Sequence, residues 1–66
     1  MIIKINGKDT MVDGFTNLTD VITNKRLVPD HIVIEYNFRI IPKEEWADIK
    51  LKENDNIEII SFVGGG

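Results

Sequence analysis

The chain has 66 residues, a formal net charge of −3 at pH 7, 42% hydrophobic and 29% charged residues, and no cysteine. A chain of this length forms one domain with a thin core and little room for an enclosed active site. The acidic balance argues against nucleic-acid binding, and the lack of cysteine excludes disulfides, thiolate metal sites and a thiol nucleophile.

The first predicted element is a β-hairpin over residues 1–12. Asn6-Gly7 separates two β-rich runs, and it favours a two-residue turn in which both residues adopt positive φ. Lys4 then lies opposite Asp9 as a charge pair. The same register places four apolar side chains on the face toward the core: Met1, Ile3, Ile5 and Val12.

The next predicted element is a short helix over residues 18–26. Asn17 can cap this helix, and Asp20 three residues later completes a capping box. Apolar residues at i, i+3 and i+4 form its buried stripe: Leu18, Val21 and Ile22. Pro29 lies just beyond the helix and keeps the preceding residue out of the helical region. A helix of about nine residues is unstable alone and must pack against a sheet.

Two further strands are predicted after the helix. Residues 32–36 form the third strand, because they are rich in β-branched and aromatic residues. Asn37-Phe38 is a turn into a short fourth strand over residues 39–41, which Pro42 ends.

A helical turn, a connector and a last strand complete the predicted fold. Residues 43–48 form the helical turn, and Trp46 is expected to close one end of the core. Residues 50–56 are interpreted as a polar connector, and residues 57–63 as the last strand. The spacing of the acidic residues in this part of the chain does not match a calcium loop, so they are interpreted as a solvated surface: Glu44, Glu45, Asp48, Glu53 and Asp55.

The last strand carries large apolar residues on both faces. If Ile57 and Ile59 face the helix, then Glu58, Ile60 and Phe62 lie on the opposite face. Either a neighbouring loop covers the two apolar side chains on that face, or they form a docking patch for a protein partner. The residues alone leave both alternatives open.

Three glycines, Gly64-Gly65-Gly66, follow this strand directly. Glycine has no side chain to obstruct a narrow channel, and three residues reach about 10 Å. Such a tail is either a frayed terminus or a carboxylate offered to the active site of another protein. We expect residues 1–63 to form the single domain and residues 64–66 a flexible tail.

The remaining residues offer no catalytic arrangement. His31 is the single histidine, and beside Pro29 and Asp30 it fits a surface loop better than a Ser-His-acid site. We find neither a signal peptide nor an apolar run of the roughly 20 residues that span a bilayer. We therefore expect a cytoplasmic protein with no membrane partner.

The chain resembles the thiamin-biosynthesis sulfur carrier proteins, the ThiS family. The match extends over the whole length and is strongest from Tyr36 onward, whereas residues 8–30 match only in pattern. The family pattern requires the final pair Gly65-Gly66. The residues that carry the resemblance are Ile3-Lys4-Ile5-Asn6-Gly7, Asn37, Ile40-Ile41-Pro42, Trp46, Asp55, Ile57, Ile59 and Val63-Gly64-Gly65-Gly66.

This resemblance implies a ubiquitin-like β-grasp fold of the α+β class. In this fold a mixed sheet of four to five strands packs on one main helix, and the first and last strands lie side by side and parallel. The resemblance also implies a sulfur carrier in thiamin biosynthesis, which is a protein co-substrate and not an enzyme.

The implied mechanism uses the C-terminal carboxylate of Gly66. An E1-like enzyme adenylates it with ATP, sulfur from a cysteine desulfurase displaces AMP, and the thiocarboxylate donates sulfur to thiazole synthase. Gly65 and Gly64 give these enzymes access to the terminus. The carrier itself binds no cofactor and is expected to be a monomer when free. The residues expected to dock on a partner are Val63, Phe62 and Ile60.

Two alternatives remain at this point. One is a sulfur carrier of another pathway, such as the molybdopterin-synthase small subunit or a ubiquitin-related modifier. Those relatives are usually longer, and they lack the Ile-Ile-Pro and Trp arrangement found here. The other alternative is a non-catalytic β-grasp interaction module whose tail is inert.

Overall fold

The structure is a computed structural model that describes residues 1–14 and 16–62. In these residues a five-stranded sheet packs against one α-helix, and two 3₁₀ helices lie in the connections. The elements are β1 (Ile2–Ile5), β2 (Lys8–Met11), α1 (Leu18–Asn24), β3 (Ile32–Tyr36), β4 (Arg39–Ile41) and β5 (Asn56–Ser61), with the 3₁₀ helices at Pro29–His31 and Lys43–Asp48. No helix in this part of the chain is long and apolar enough to cross a membrane.

The sheet is mixed, and its strand order is β2-β1-β5-β3-β4. The first and last strands are adjacent and parallel at its centre, while the other pairs are antiparallel. Parallel neighbours need a long crossover, which here contains α1, β3 and β4. This is the β-grasp arrangement expected from the resemblance, and all five strands are present.

The N-terminal hairpin has the predicted register. Lys4 lies opposite Asp9, and their side chains form an ion pair with 3.2 Å between Nζ and Oδ1. Asn6 and Gly7 have φ of 51° and 82°, as the two-residue turn requires. The predicted inward side chains are buried or pack against the core: Met1, Ile3, Ile5 and Val12.

Helix α1 begins as predicted and ends earlier. The Asn17 side chain accepts from the Asp20 backbone N–H, and the Asp20 side chain accepts from Asn17 in return. The helix ends at Asn24, and Arg26 has a φ of 58°. The predicted end at residue 26 is wrong, because Arg26 adopts the left-handed conformation that follows the end of many helices. Glycine is the usual residue at this position, but here it is arginine.

The core lies between α1 and one face of the sheet, and Trp46 closes it as predicted. The indole Nε1 donates to the Ile41 carbonyl oxygen at 3.0 Å, so this polar atom is satisfied while the ring is buried. The buried apolar residues are Ile3, Ile5, Leu18, Val21, Ile22, Ile32, Ile34, Tyr36, Ile41, Trp46, Leu51 and Ile57.

The connector between Trp46 and β5 differs from its prediction. Leu51 belongs to the core, and Asp55 is only 4% exposed, so the interpretation of Asp55 as a solvated carboxylate is wrong. Strand β5 also begins one residue earlier than predicted, at Asn56, and ends at Ser61. Burial of Asp55 is possible because several donors surround it, one from the neighbouring Lys52 and two from the distant Tyr36 and Asn37.

Three hydrogen bonds satisfy the buried Asp55 carboxylate. The Tyr36 hydroxyl donates to Oδ2 at 2.7 Å, the Lys52 backbone N–H donates to Oδ2 at 2.7 Å, and the Asn37 amide donates to Oδ1 at 3.1 Å. The Lys52 ammonium lies 3.4 Å from Oδ1. Burial raises the pKa of Asp55, but these donors lower it by more, so the pKa lies below the ordinary carboxyl value.

Candidate functional site

The candidate site is the end of β5 and the outer sheet face around it. The predicted sulfur-carrying terminus Gly66, the access residues Gly65 and Gly64, and the docking residue Val63 lie outside the described residues. Phe62 is the last described residue, and it directly follows β5. The structure therefore shows the surface from which the tail departs.

The inner face of β5 holds the strand in the sheet. Ile57 is fully buried opposite Tyr36, and Ile59 packs against the core opposite Ile34. These contacts confirm the prediction that Ile57 and Ile59 face the helix. Because side chains alternate along a strand, Glu58 and Ile60 point away from the core.

The outer face of β5 exposes two large apolar side chains. Ile60 is 47% exposed and Phe62 is 61% exposed. The alternative in which a neighbouring loop covers them is therefore wrong. An exposed pair of this size next to the tail is available for contact with a partner.

Two neighbouring strands extend this apolar surface. Val33 of β3 lies directly opposite Ile60, and Ile40 of β4 is 58% exposed on the same face. We call Val33, Ile40, Ile60 and Phe62 the outer-face patch. The sequence prediction missed Val33 and Ile40 because only the strand order places β3 beside β5 and β4 beside β3. The alternation within 32–36 is the local signal that places Val33 outward, opposite to the buried Ile32 and Ile34.

Two hydrogen bonds hold the end of β5 where regular pairing stops. Strand β1 ends at Ile5, so it offers no further strand residue to pair with the end of β5. The Asn6 side chain takes over this role, because its Oδ1 accepts a hydrogen bond from the Ile59 backbone N–H at 2.7 Å. On the other side, the Phe62 N–H donates to the His31 carbonyl at 3.1 Å. His31 is half-buried at the end of a 3₁₀ helix, which corrects its prediction as a surface loop residue. These two bonds hold Ile59 and Phe62 in place at this end of the sheet.

Two carboxylates lie side by side on the outer face. Glu35 is directly opposite Glu58 in the β3–β5 register, and Ile40 lies opposite Glu35 on its other side. Among the described residues, neither glutamate has an ion-pair partner. Like charges directly opposite each other destabilise a sheet. A basic group from outside the domain would relieve this repulsion.

The polar groups of the described residues form no metal-binding arrangement. No cluster of three or more His, Asp or Glu side chains in residues 1–14 and 16–62 could hold a metal ion. In the same part of the chain, every buried side-chain nitrogen and oxygen has a hydrogen-bond partner. The outer face of the described residues therefore combines exposed apolar side chains with a pair of adjacent carboxylates.

A family model described as the ThiS family matches residues 3–66. The chain belongs to the ThiS family. The sulfur carrier protein ThiS of Bacillus subtilis is 35% identical over 65 residues, which cover 97% of this chain and 98% of that protein. The crystal structure of the thiamine biosynthesis protein ThiS from Geobacter metallireducens superposes with a TM-score of 0.84 at 26% identity, and the match covers both chains completely. This likeness confirms the β-grasp fold.

A larger protein also contains a ThiS-like segment. A thiazole synthase of Magnetococcus marinus is 27% identical over 66 residues, which is all of this chain but 20% of that protein. Membership of the ThiS family makes the present protein a sulfur carrier of thiamine biosynthesis, which is the role of a carrier protein and not of an enzyme.

Proposed function

We propose that the C-terminal carboxylate of Gly66 is the group that carries sulfur. An E1-like enzyme adenylates it with ATP and releases pyrophosphate. An enzyme persulfide, which holds sulfur from a cysteine desulfurase, then attacks the acyl carbon, and AMP leaves. A second thiol reduces the resulting acyl disulfide, and the thiocarboxylate so released donates its sulfur to thiazole synthase. The observation that carries this proposal is the family match, which continues through residue 66 and so includes the whole terminal glycine run.

The chemistry of a terminal glycine fits this reaction. A C-terminal carboxylate has a pKa of about 3.5, so it is ionised at neutral pH and can attack the α-phosphorus of ATP while pyrophosphate leaves. The acyl adenylate is a better acyl donor than the carboxylate, because AMP is a good leaving group. Gly65 and Gly66 leave the acyl carbon unhindered. The lack of cysteine is no obstacle, since the sulfur is held on the chain terminus.

The outer-face patch is the proposed docking surface for the enzymes that act on the tail. Ile60 and Phe62 are exposed immediately before the tail, and Val63 continues the same run. A partner that covers these side chains removes apolar surface from water and places the glycines at its active site. Val33 and Ile40 widen the contact beyond the residues that the sequence indicated.

Thiazole synthase is the partner with independent support. A protein of that name contains a segment similar to the whole of this chain, so carrier and synthase occur there in one polypeptide. The E1-like enzyme and the cysteine desulfurase are proposed from the chemistry that the terminus requires. ATP is used by the activating enzyme, the carrier binds no cofactor, and we place the reaction in the cytoplasm.

Intact-mass analysis tests the proposed chemistry. The protein is incubated with ATP, cysteine, a cysteine desulfurase and the E1-like enzyme of the same organism. We expect a mass increase that matches replacement of one oxygen by one sulfur, and fragmentation should map it to Gly66. An unchanged mass, with a desulfurase shown to release sulfur from cysteine and an E1-like enzyme shown to bind ATP, would contradict the proposal.

One added residue provides the control. A variant with alanine appended after Gly66 keeps the folded domain but moves the carboxylate and adds a side chain to it. We expect this variant to take up no sulfur. An interaction module with an inert tail would instead bind its partner equally well with and without the added alanine.

A further inference from the structure

The two hairpin turns of the domain have the same backbone form but different residues. Asn6 and Gly7 have φ of 51° and 82°, and Asn37 and Phe38 have φ of 47° and 71°. Both are two-residue turns with two positive φ values, a form that strongly favours Asn-Gly. Glycine adopts positive φ without steric cost, whereas a side chain with a Cβ atom is strained there. Phe38 therefore occupies a position at which glycine would be easier to accommodate.

The Phe38 ring does not compensate for this strain within the domain. It is 80% exposed, so it buries little apolar surface against the core. The backbone strain therefore costs folding free energy, and burial of the ring offsets little of that cost. Residues with strain of this kind are concentrated at active sites and binding sites.

The position of Phe38 connects it to the proposed docking surface. The turn joins β3 to β4, and Ile40 of the outer-face patch is two residues further along. The neighbouring Asn37 bonds to Asn56, the first residue of β5, through its backbone N–H at 2.8 Å. Phe62 is six residues further along this strand and its extension, which is on the order of 20 Å. That length fits within one interface of ordinary size, about 800 Å² on each partner.

We propose that Phe38 is a partner-binding residue at the far end of the docking surface, and that its ring inserts into an apolar pocket on thiazole synthase. This inference rests on the proposed function. Thiazole synthase is the occupant because a relative of that name includes a segment like this chain. The unpaired Glu35 and Glu58 lie between the two ends of the surface, so we expect a basic side chain on the partner where it faces these two carboxylates.

Three variants separate binding from strain. F38G removes the ring and the strain together, and F38Y keeps an aromatic ring in the same strained turn. M11A is the control, because Met11 is 79% exposed and Phe38 is 80% exposed. Met11 lies on β2, at the opposite edge of the sheet from the Phe38 turn. Each variant is unfolded in urea and titrated calorimetrically into the thiazole synthase of the same organism.

We expect F38G to unfold at higher urea concentration than the unchanged protein and to bind thiazole synthase about tenfold or more weakly. F38Y should match the unchanged protein in both measurements, and M11A should leave the affinity unchanged. A gain in stability together with a loss of affinity is the result that a purely structural role of Phe38 cannot produce.

Several results would overturn the proposal. These are equal affinity of F38G and the unchanged protein, a lower urea midpoint for F38G, or the absence of any binding by the unchanged protein. Sedimentation that shows a dimer dissociated by F38G would assign the ring to a second copy of the chain and also overturn it. Sulfur uptake at Gly66 by the unchanged protein is measured in parallel, so loss of this inference can be told apart from loss of the proposed function.

Discussion

The two ends of β5 are built in opposite ways. At its start, Asp55 is buried and closed in by donors from Tyr36, Asn37 and Lys52. At its end, Ile60 and Phe62 present apolar surface to solvent. At the first end the buried carboxylate is satisfied by donors within the domain, whereas at the second end large apolar side chains remain exposed.

Residues that stabilise the domain and residues that are free to bind a partner therefore lie at opposite ends of the same strand. A buried carboxylate fixes the connector and the β3–β4 turn, because each donor must stay in place to offset its desolvation. Exposed apolar side chains add little to the stability of the domain, but they gain free energy when a partner covers them. The terminus that we propose as the reactive group follows the second end, so a partner can bind there without disturbing the first.

Removing the carboxylate at the first end should have the largest effect on stability. D55A leaves the Tyr36 hydroxyl and the Lys52 N–H without their acceptor in a buried position. We expect a loss of about 3 kcal/mol in the free energy of unfolding, measured in urea. A domain of this size has roughly 3–10 kcal/mol in total, so the variant should be close to unfolding.

A matched control separates the loss of charge from the loss of the buried site. D48A removes the same side chain from an exposed position in the second 3₁₀ helix. It should change the free energy of unfolding by less than about 0.5 kcal/mol. Equal losses in the free energy of unfolding for D55A and D48A would show that the buried Asp55 stabilises the domain no more than an exposed aspartate does.

Acid should weaken the first end through the same carboxylate. The pKa of Asp55 is lowered in the folded protein, because hydrogen bonds to the ionised form outweigh its desolvation. The unfolded chain, with an aspartate pKa of about 3.9, therefore binds the proton more readily. The stabilisation that the ionised Asp55 side chain gives to the folded protein is complete above about pH 4, and it is lost as the pH falls through the pKa of Asp55 in the folded protein.

Urea unfolding at a series of pH values checks this dependence. D55N should lose less stability than the unchanged protein between about pH 4 and pH 2, since it has no carboxylate to protonate at this site. Parallel curves for the two proteins would mean that other acidic groups dominate the acid response. The effect is smaller than that of D55A because protonation leaves the side chain and part of its hydrogen bonding in place.

Substitution at the second end should affect stability least and function most. I60S and F62S replace exposed side chains, so we expect a change within about 0.5 kcal/mol in the free energy of unfolding. The rate of sulfur uptake at Gly66, measured by intact mass at limiting enzyme, should fall about tenfold. M11S is the matched control, since Met11 is 79% exposed on the opposite edge strand. If I60S and F62S unfold readily but take up sulfur normally, the division between the two ends is wrong.

Local signals were sufficient for the first hairpin and for the start of the helix. Asn6-Gly7 fixes a two-residue turn, and that turn fixes every pair in the register. The capping box of Asn17 and Asp20 is contained in four consecutive residues. The end of the helix was missed because Arg26 gives no local signal for the left-handed conformation that it adopts.

The buried Asp55 was missed for a different reason. Its side-chain donors Tyr36 and Asn37 precede it by 19 and 18 residues, so a reading of neighbouring residues shows only one more acidic group in a polar connector. The outer-face patch was predicted in part. Ile60 and Phe62 follow from the alternation along β5, but Val33 and Ile40 depend on the strand order, which places β3 beside β5 and β4 beside β3.

The sequence by itself determined the elements, the turn chemistry and, through its resemblance to the ThiS family, the sulfur carrier role and the β-grasp fold. The role of Gly66 stays a prediction that the mass experiment tests. Only the tertiary structure decided that Val33 and Ile40 share the outer face with Ile60, that Asp55 is buried, and that Phe38 is exposed in a strained turn. Hydrogen bonds within a turn or cap join residues close in sequence, whereas burial and shared faces depend on strands brought together from distant parts of the chain.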